Sequence, residues 1–158
     1  MNDKLVPITL CLVGCGKTKL DRPTAAKDLY TGNLFRAARR WAEDCDEWRI
    51  LSALYGLVDP EEQLAPYEHR LHPKDRAQWG QVVANRIVCE MSECGPFELV
   101  ILAGEDYAAP VVTGMRSGLG WRCNCVDVRQ PLAGMGIGRR LGWFAAEVRA
   151  SRQLDEAT

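Results

Sequence analysis

Ile8-Thr9-Leu10-Cys11-Leu12-Val13, running into Gly14-Cys15-Gly16, is a continuous apolar, β-prone hexapeptide that ends at a glycine-bounded turn. A strand apolar on both faces has to be covered on both faces, as the central strands of a parallel sheet are. Two further runs have the same character: Arg49-Ile50-Leu51-Ser52-Ala53 and Glu98-Leu99-Val100-Ile101-Leu102-Ala103. Segments with helical spacing lie between and after them. Asn33 is placed to cap a helix whose apolar stripe is Leu34, Ala38, Trp41 and Cys45. Pro73 opens another, with Trp79, Val83, Ile87 and Met91 on one face and Gly95-Pro96 as its stop. A third helix is expected around Pro110 to Arg116, and a closing one with Ile137, Leu141, Phe144, Ala145 and Val148 at helical spacing. From Trp121 to Val128 the side chains alternate, Trp121, Cys123 and Cys125 against Arg122, Asn124 and Val126, the pattern of a half-buried edge strand.

Strand and helix therefore alternate, which predicts a small, mostly parallel four-stranded α/β sheet with helices on both faces. No linker, repeat or low-complexity block interrupts the pattern, so residues 1–150 read as a single α/β domain and residues 151–158 as a polar C-terminal tail. The 158 residues carry 20 Lys+Arg and 21 Asp+Glu, a formal charge of -1, and this balance argues against attachment to nucleic acid by bulk electrostatics while leaving room for a local basic patch. At 47% hydrophobic the chain is too apolar for disorder. Its longest apolar run is far short of the ~20 residues that a bilayer requires, and no cleavage-site pattern follows it, so neither a membrane partner nor a signal peptide is expected. The cysteines number seven, an odd count, and most lie in apolar stretches rather than loops. That distribution fits reduced thiols and a cytoplasmic location. One C-x-C (Cys123, Cys125) and one H-x-x-H (His69, His72) do not make a complete zinc ligand set, so no metal and no cofactor are expected.

Ligands of such sheets bind at the carboxyl ends of the strands. Four segments share that rim: Gly14-Cys15-Gly16-Lys17, Leu54-Tyr55-Gly56, Gly104-Glu105-Asp106-Tyr107 and the loop from Arg129 to Gly138. Gly14-Cys15-Gly16-Lys17-Thr18 invites a phosphate-loop reading, but the glycine that pattern needs five residues before the Gly-Lys-Thr is Cys11 here. What survives is an anion contact through backbone N–H groups with Lys17 and Lys19, or a plain turn with solvated lysines. Lys17 would lower the pKa of the neighbouring Cys15 thiol, although its only candidate bases, His69 and His72, lie on the long loop that runs from Leu54 to His72, with nothing in the sequence to join them to Cys15; a packed small residue is the alternative. Glu105 and Asp106, two acids after an apolar strand, could activate water or stabilise a sugar cation in N-glycoside cleavage, with Tyr107 stacking on a base. They equally suit the first turn of a helix, complementing its dipole. Gly134-Met135-Gly136-Ile137-Gly138 ahead of Arg139-Arg140 resembles an anion-binding helix start without the dinucleotide spacing, or a close helix–strand crossing. Arg36, Arg39 and Arg40 read as a solvated helix face.

In combination these segments resemble the YaaA peroxide-stress family. The resemblance is carried by Lys17-Thr18 with Asp21, Leu29-Tyr30-Thr31-Gly32, the run from Ile50 to Leu57 leading to Pro66-Tyr67, Trp79-Gly80, and Leu102-Ala103 with Glu105-Asp106-Tyr107. It extends from about Ile8 to Tyr107 and is most specific at Leu51-Ser52-Ala53-Leu54-Tyr55-Gly56-Leu57 with Pro66-Tyr67. The chain is much shorter than those proteins and looks nearer to their short bacterial and phage relatives of unknown function. The resemblance implies a mixed α/β fold, DNA binding and protection of DNA under oxidative stress, without an agreed reaction. Carried over by the family pattern, the site positions are Lys17, Tyr30, Ser52, Tyr55, Gly56, Pro66, Tyr67, Asp106 and Tyr107. Cys15 departs from the small residue of the longer proteins, and their basic C-terminal part is missing, which weakens the transfer of DNA binding.

The expected function is action on a nucleic acid or nucleotide, most concretely DNA-glycosylase-like hydrolysis of an N-glycosidic bond linked to DNA damage or DNA modification. In that reading Lys17 holds phosphate, Tyr55 and Tyr67 sandwich a flipped base, Ser52 offers a hydroxyl, and Asp106 or Glu105 acts on water or the sugar cation. Tyr55 and Tyr67 packing their loop onto the core is the structural alternative. Two other functions remain open: a non-catalytic DNA-binding or oxidative-stress protein, and a free-nucleotide hydrolase or transferase.

Overall fold

The computed structural model describes residues 5–117 and 124–157. The opening hexapeptide forms β1 (Ile8–Gly14), the middle strand of a five-stranded sheet. It is followed by β2 (Thr24–Ala25), α1 (Ala26–Leu29), α2 (Asn33–Ala42), β3 (Glu47–Ser52), β4 (Gly56–Val58) and β5 (Gln63–Leu64). A 3-10 turn at Pro73–Asp75 leads into α3 (Arg76–Glu90), then β6 (Phe97–Leu102), α4 (Glu105–Arg116), β7 (Cys125–Arg129) and α5 (Ile137–Glu156). The sheet order is β4-β3-β1-β6-β7, and β2 pairs with β5 as a small separate ribbon. β1 pairs in parallel with β3 on one side and β6 on the other, and β6 pairs in parallel with β7.

The mostly parallel α/β sheet is as expected, with one strand more. The extra strand is β4, antiparallel to β3 through Leu51↔Leu57 and Ser52↔Gly56, in a stretch the sequence presents as part of a long loop. Gly56 has φ of 72°, where a side chain would be strained, and that closes the tight connection from Ser52. Three residues are too few for a periodicity to register. At the far edge β7 begins at Cys125; Trp121 and Cys123 of the expected strand lie outside the described residues.

Strand side chains alternate between two cores. Leu10, Leu12, Leu51, Leu57, Leu99 and Ile101 face α3 and α4. Cys11, Val13, Ile50, Val58, Val100 and Leu102 face α2 and α5. On the first face, Val83, Ile87 and Met91 are buried as predicted, and α3 and α4 cross with their backbones nearly touching. A Cβ on Gly80 would lie 2.3 Å from the Pro110 carbonyl oxygen, and one on Gly114 would lie 2.7 Å from that of Gly80. On the second face the expected stripes shift. In α2 the buried residues are Phe35, Ala38 and Ala42, while Leu34 and Trp41 are only half-buried because they turn toward α5, where Trp41 meets Trp143 at 5.8 Å. Asn33 is the first helical residue and Gly32 is the cap. α4 starts at Glu105, five residues before Pro110, and takes in both acids. α5 buries only Phe144; Ile137 and Val148 are exposed, and the helix continues through the expected tail to Glu156, with its last turns reaching past the sheet. Among the described residues no helix is long and apolar enough to cross a membrane.

Candidate functional site

The connection after β1 leaves through α2 on one face, and the one after β6 leaves through α4 on the other. β1 and β6 are neighbours, so their carboxyl ends flank the place where the chain direction switches, the crevice in which open α/β sheets bind ligands. A cavity of about 710 Å³ opens there. Its floor is Gly14 to Thr18 after β1 and Leu102 to Tyr107 after β6; Asn33, Leu34 and Phe35 of α2 form one wall, and Ile137, Arg140 and Leu141 of α5 another. A cavity of this size holds a drug- or nucleotide-sized molecule.

Three helices start at this cavity: α2 behind Gly32, α4 behind Gly104 and α5 behind Gly136. Each cap is a glycine and supplies no side-chain acceptor for the first-turn N–H groups, so the positive ends of three helix dipoles remain available to an anion. Lys17 and Arg140 add cationic side chains to the lining. Arg140 donates from Nε to the Met135 carbonyl at 2.8 Å and lies against Gly104. Arg140 was visible in the sequence as the basic residue after the glycine-rich segment, but not as a wall of this cavity.

The two acids separate. Asp106, on the first turn of α4, is ion-paired with Arg76 of α3 (Nη1–Oδ1 2.9 Å), with its side chain 60% exposed. Glu105 lines the same cavity and makes no ion pair among the described residues. The helix-start reading of the pair is therefore correct in geometry, and of the two acids Glu105 is the one without an ion-pair partner among the described residues. Arg76 gave no sequence signal, being one arginine among many. Its Nε is buried without a hydrogen-bond partner.

The expected aromatic sandwich is not present. The rings of Tyr55 and Tyr67 meet edge-on, with centroids 5.3 Å apart and an angle of 83°, which leaves no parallel slot for a base. Tyr55 and Gly56 line a separate shallow hollow with Leu54, Trp79 and Val82. Tyr67 Oη lies 2.7 Å from both Ser52 Oγ and Tyr30 Oη, and Ser52 Oγ also accepts the N–H groups of Leu54 and Tyr55. Ser52 and Tyr30 are fully or almost fully buried. These three hydroxyls fasten the segment around Pro66 to the end of β3; they do not line the main cavity. Burial pushes the Tyr30 hydroxyl up to about 12, and burial likewise pushes Tyr67 and Tyr107 up, so all three stay protonated. Tyr107 packs edge-on against Trp79, and its hydroxyl meets the Cys15 sulfur at 3.6 Å.

Cys15 and Tyr107 form a partition. On one side is the main cavity; on the other is a second hollow of about 540 Å³ lined by Lys17, Lys19, Glu68, His69 and Arg70. Pro66 and Tyr67 face a third, shallower hollow with Lys17 and Lys19. The Lys19 ammonium sits 4.5 Å over the Tyr67 ring and donates to the carbonyls of Gly16 and Lys17 at 3.3 Å. His69, which nothing in the sequence joins to Cys15, comes to the same hollow. The structure thus gathers Cys15, Lys17, Glu105, Asp106 and Tyr107 around one cavity. It sets Pro66 and Tyr67 beside that cavity, and Tyr30, Ser52, Tyr55 and Gly56 behind or away from it.

The model of a family of unknown function, DUF6884, matches residues 10–146, and the chain belongs to that family. An uncharacterized protein of Bacillus subtilis (strain 168), YfjM, is 37% identical over 60 residues, a match that covers 34% of this chain and 40% of that protein.

Proposed function

We propose that this member of the DUF6884 family binds a nucleotide in the crevice between β1 and β6 and hydrolyses its N-glycosidic bond. The observation that supports this reading is the convergence of three glycine-capped helix starts, Lys17 and Arg140 on a cavity that also carries the unpaired Glu105. The cationic elements match a phosphate, and the carboxylate matches the electron-poor sugar of an N-glycoside in cleavage. In the proposed step the bond from C1′ to the base nitrogen breaks and its electron pair leaves with the base. Water adds to C1′ as Glu105 takes one of its protons, and the base nitrogen acquires a proton. Asp106, held by Arg76, positions the first turn of α4 instead of reacting. The resemblance to the YaaA family supports a nucleic-acid source for that nucleotide. The charge of -1 and the concave site favour a single nucleotide unit over a wide duplex face.

The test is chromatography of released base from a panel of free nucleotides and of DNA with modified bases. Wild-type protein is expected to release base from at least one of them, and Glu105→Gln to lower the rate by ~100-fold or more with nucleotide affinity retained. Undiminished release by Glu105→Gln would overturn the role of the carboxylate. Binding with no release across the panel would reduce the site to a ligand-binding one.

A further inference from the structure

We infer that the ligand has two parts joined through phosphate: one nucleotide in the main cavity, and a second unit seated in the adjoining hollow lined by Lys17, Lys19, His69 and Arg70. This rests on the nucleotide reading above and extends it to the substrate class. The two hollows share Cys15, Gly16, Lys17 and Tyr107 as common walls, so a ligand can pass from one to the other over Lys17. The charge of the second hollow is one-sided, three cations and a histidine against Glu68.

Those cations differ from the basic residues that the fold ion-pairs. Arg39, Arg49, Arg76, Arg86 and Arg129 are each matched by a carboxylate of the fold. Among the described residues, Lys17, Lys19 and Arg70 have no acidic partner within ion-pair distance. Lys19 is held by two carbonyls and an aromatic face, none of which neutralises it. A concave surface that gathers three unmatched positive charges, one of them held in place, next to an anion-binding crevice suits a second phosphate or a phosphate-bridged unit. The shared chemistry is two nucleosides bridged by phosphate. It can come from a 3′,5′-linked strand or from a 5′,5′-pyrophosphate dinucleotide.

Calorimetric titration of the full chain with a 5′-mononucleotide, a 3′,5′-dinucleotide and a 5′,5′-pyrophosphate dinucleotide tests this. At least one bridged ligand is expected to bind about tenfold tighter than the mononucleotide. Arg70→Ala should remove about fivefold of that gain, in the range of a charge-assisted contact at an open site, and leave mononucleotide affinity unchanged. Arg152→Ala, on the far end of α5, controls for net charge, and circular dichroism controls for folding. The bridged ligand that binds tighter identifies its source. Equal affinity of mononucleotide and both bridged ligands, or an Arg70→Ala effect no larger than that of Arg152→Ala, would overturn the inference alone. No binding of any ligand would overturn the nucleotide reading with it.

Discussion

The two helical layers of this protein solve opposite problems. α3 and α4 meet through Gly80 and Gly114 with their backbones in contact, and the layer closes over its half of the core without a gap. α2 and α5 meet through large side chains, Trp41 and Trp143, and stand far enough apart at their first turns for a 710 Å³ cavity to open between them. One sheet therefore has a face built for packing and a face built around a vacancy. Rigidity on the first face supports precision on the second, because α3 carries the Arg76 that holds Asp106 and α4 carries Glu105 itself.

The largest expected effect is on the closed layer. Gly80→Val places a Cβ inside contact distance of the Pro110 carbonyl, so α3 and α4 must separate; a loss on the order of 3 kcal/mol or more is expected in urea denaturation. A loss under 1 kcal/mol would mean that the two layers are equally adaptable. Next comes the hydroxyl cluster that braces the open face. Tyr67→Phe strips a partner from both Ser52 and Tyr30 and should cost about 1–2 kcal/mol by the same measurement.

That cluster also has an alkaline signature. The folded chain holds the Tyr30 proton up to about 12 against an ordinary 10, so its contribution to stability is intact below pH 10 and is lost as pH rises from 10 through 12. The midpoint of denaturation should fall over that window, and in a Tyr55→Phe background, which removes the exposed tyrosine, phenolate absorbance should appear together with unfolding; early phenolate in that background without unfolding would contradict the burial. A smaller effect is expected at the cavity wall. Leu34→Ala removes a half-buried side chain facing space, at a cost of about 1 kcal/mol or less, and should alter ligand affinity more than stability. The smallest belongs to Asp106→Asn, whose carboxylate is 60% exposed and whose replacement keeps an acceptor for Arg76; its stability should stay within about 0.5 kcal/mol of wild type, and base release within a few-fold. A collapse of turnover in Asp106→Asn comparable to that of Glu105→Gln would reassign the active carboxylate.

What could be read in advance follows the same division. The buried strands announce themselves because a two-sided apolar run has few other homes, and the α3 stripe of Val83, Ile87 and Met91 was legible for that reason. The open face was harder. Leu34 and Trp41 look like core residues by spacing, yet they border a cavity and a helix contact, and sequence cannot distinguish apolar side chains that fill a core from those that line a vacancy. At the site, Lys17, Cys15, Glu105, Asp106 and Tyr107 followed from topology, since strand ends share a rim. Tyr55 and Tyr67 were misplaced because spacing says nothing about ring orientation, and the bonds among Tyr67, Ser52 and Tyr30 depend on three segments meeting in space. Arg76 pairs across helices and Arg140 reaches from α5 to the Gly104 cap of α4, and no local pattern marks a side chain whose contact is on another element.

β1 is hydrogen-bonded along both edges, and the ladder continues one residue into the site loop, where the Cys15 N–H donates to the Leu51 carbonyl at 2.9 Å. In hydrogen-exchange terms the amides of Leu10 to Val13 belong to the last unit to open, whereas those of Gly16 and Lys17, just beyond it, can open locally. The boundary between the two regimes falls at Cys15. A ligand arriving at the crevice therefore meets a loop that can move against an anchor that does not. Suppression of local opening by ligand should appear in amides on the solvent side of Cys15, while the amides of β1 should slow only as far as the ligand raises the free energy of global unfolding.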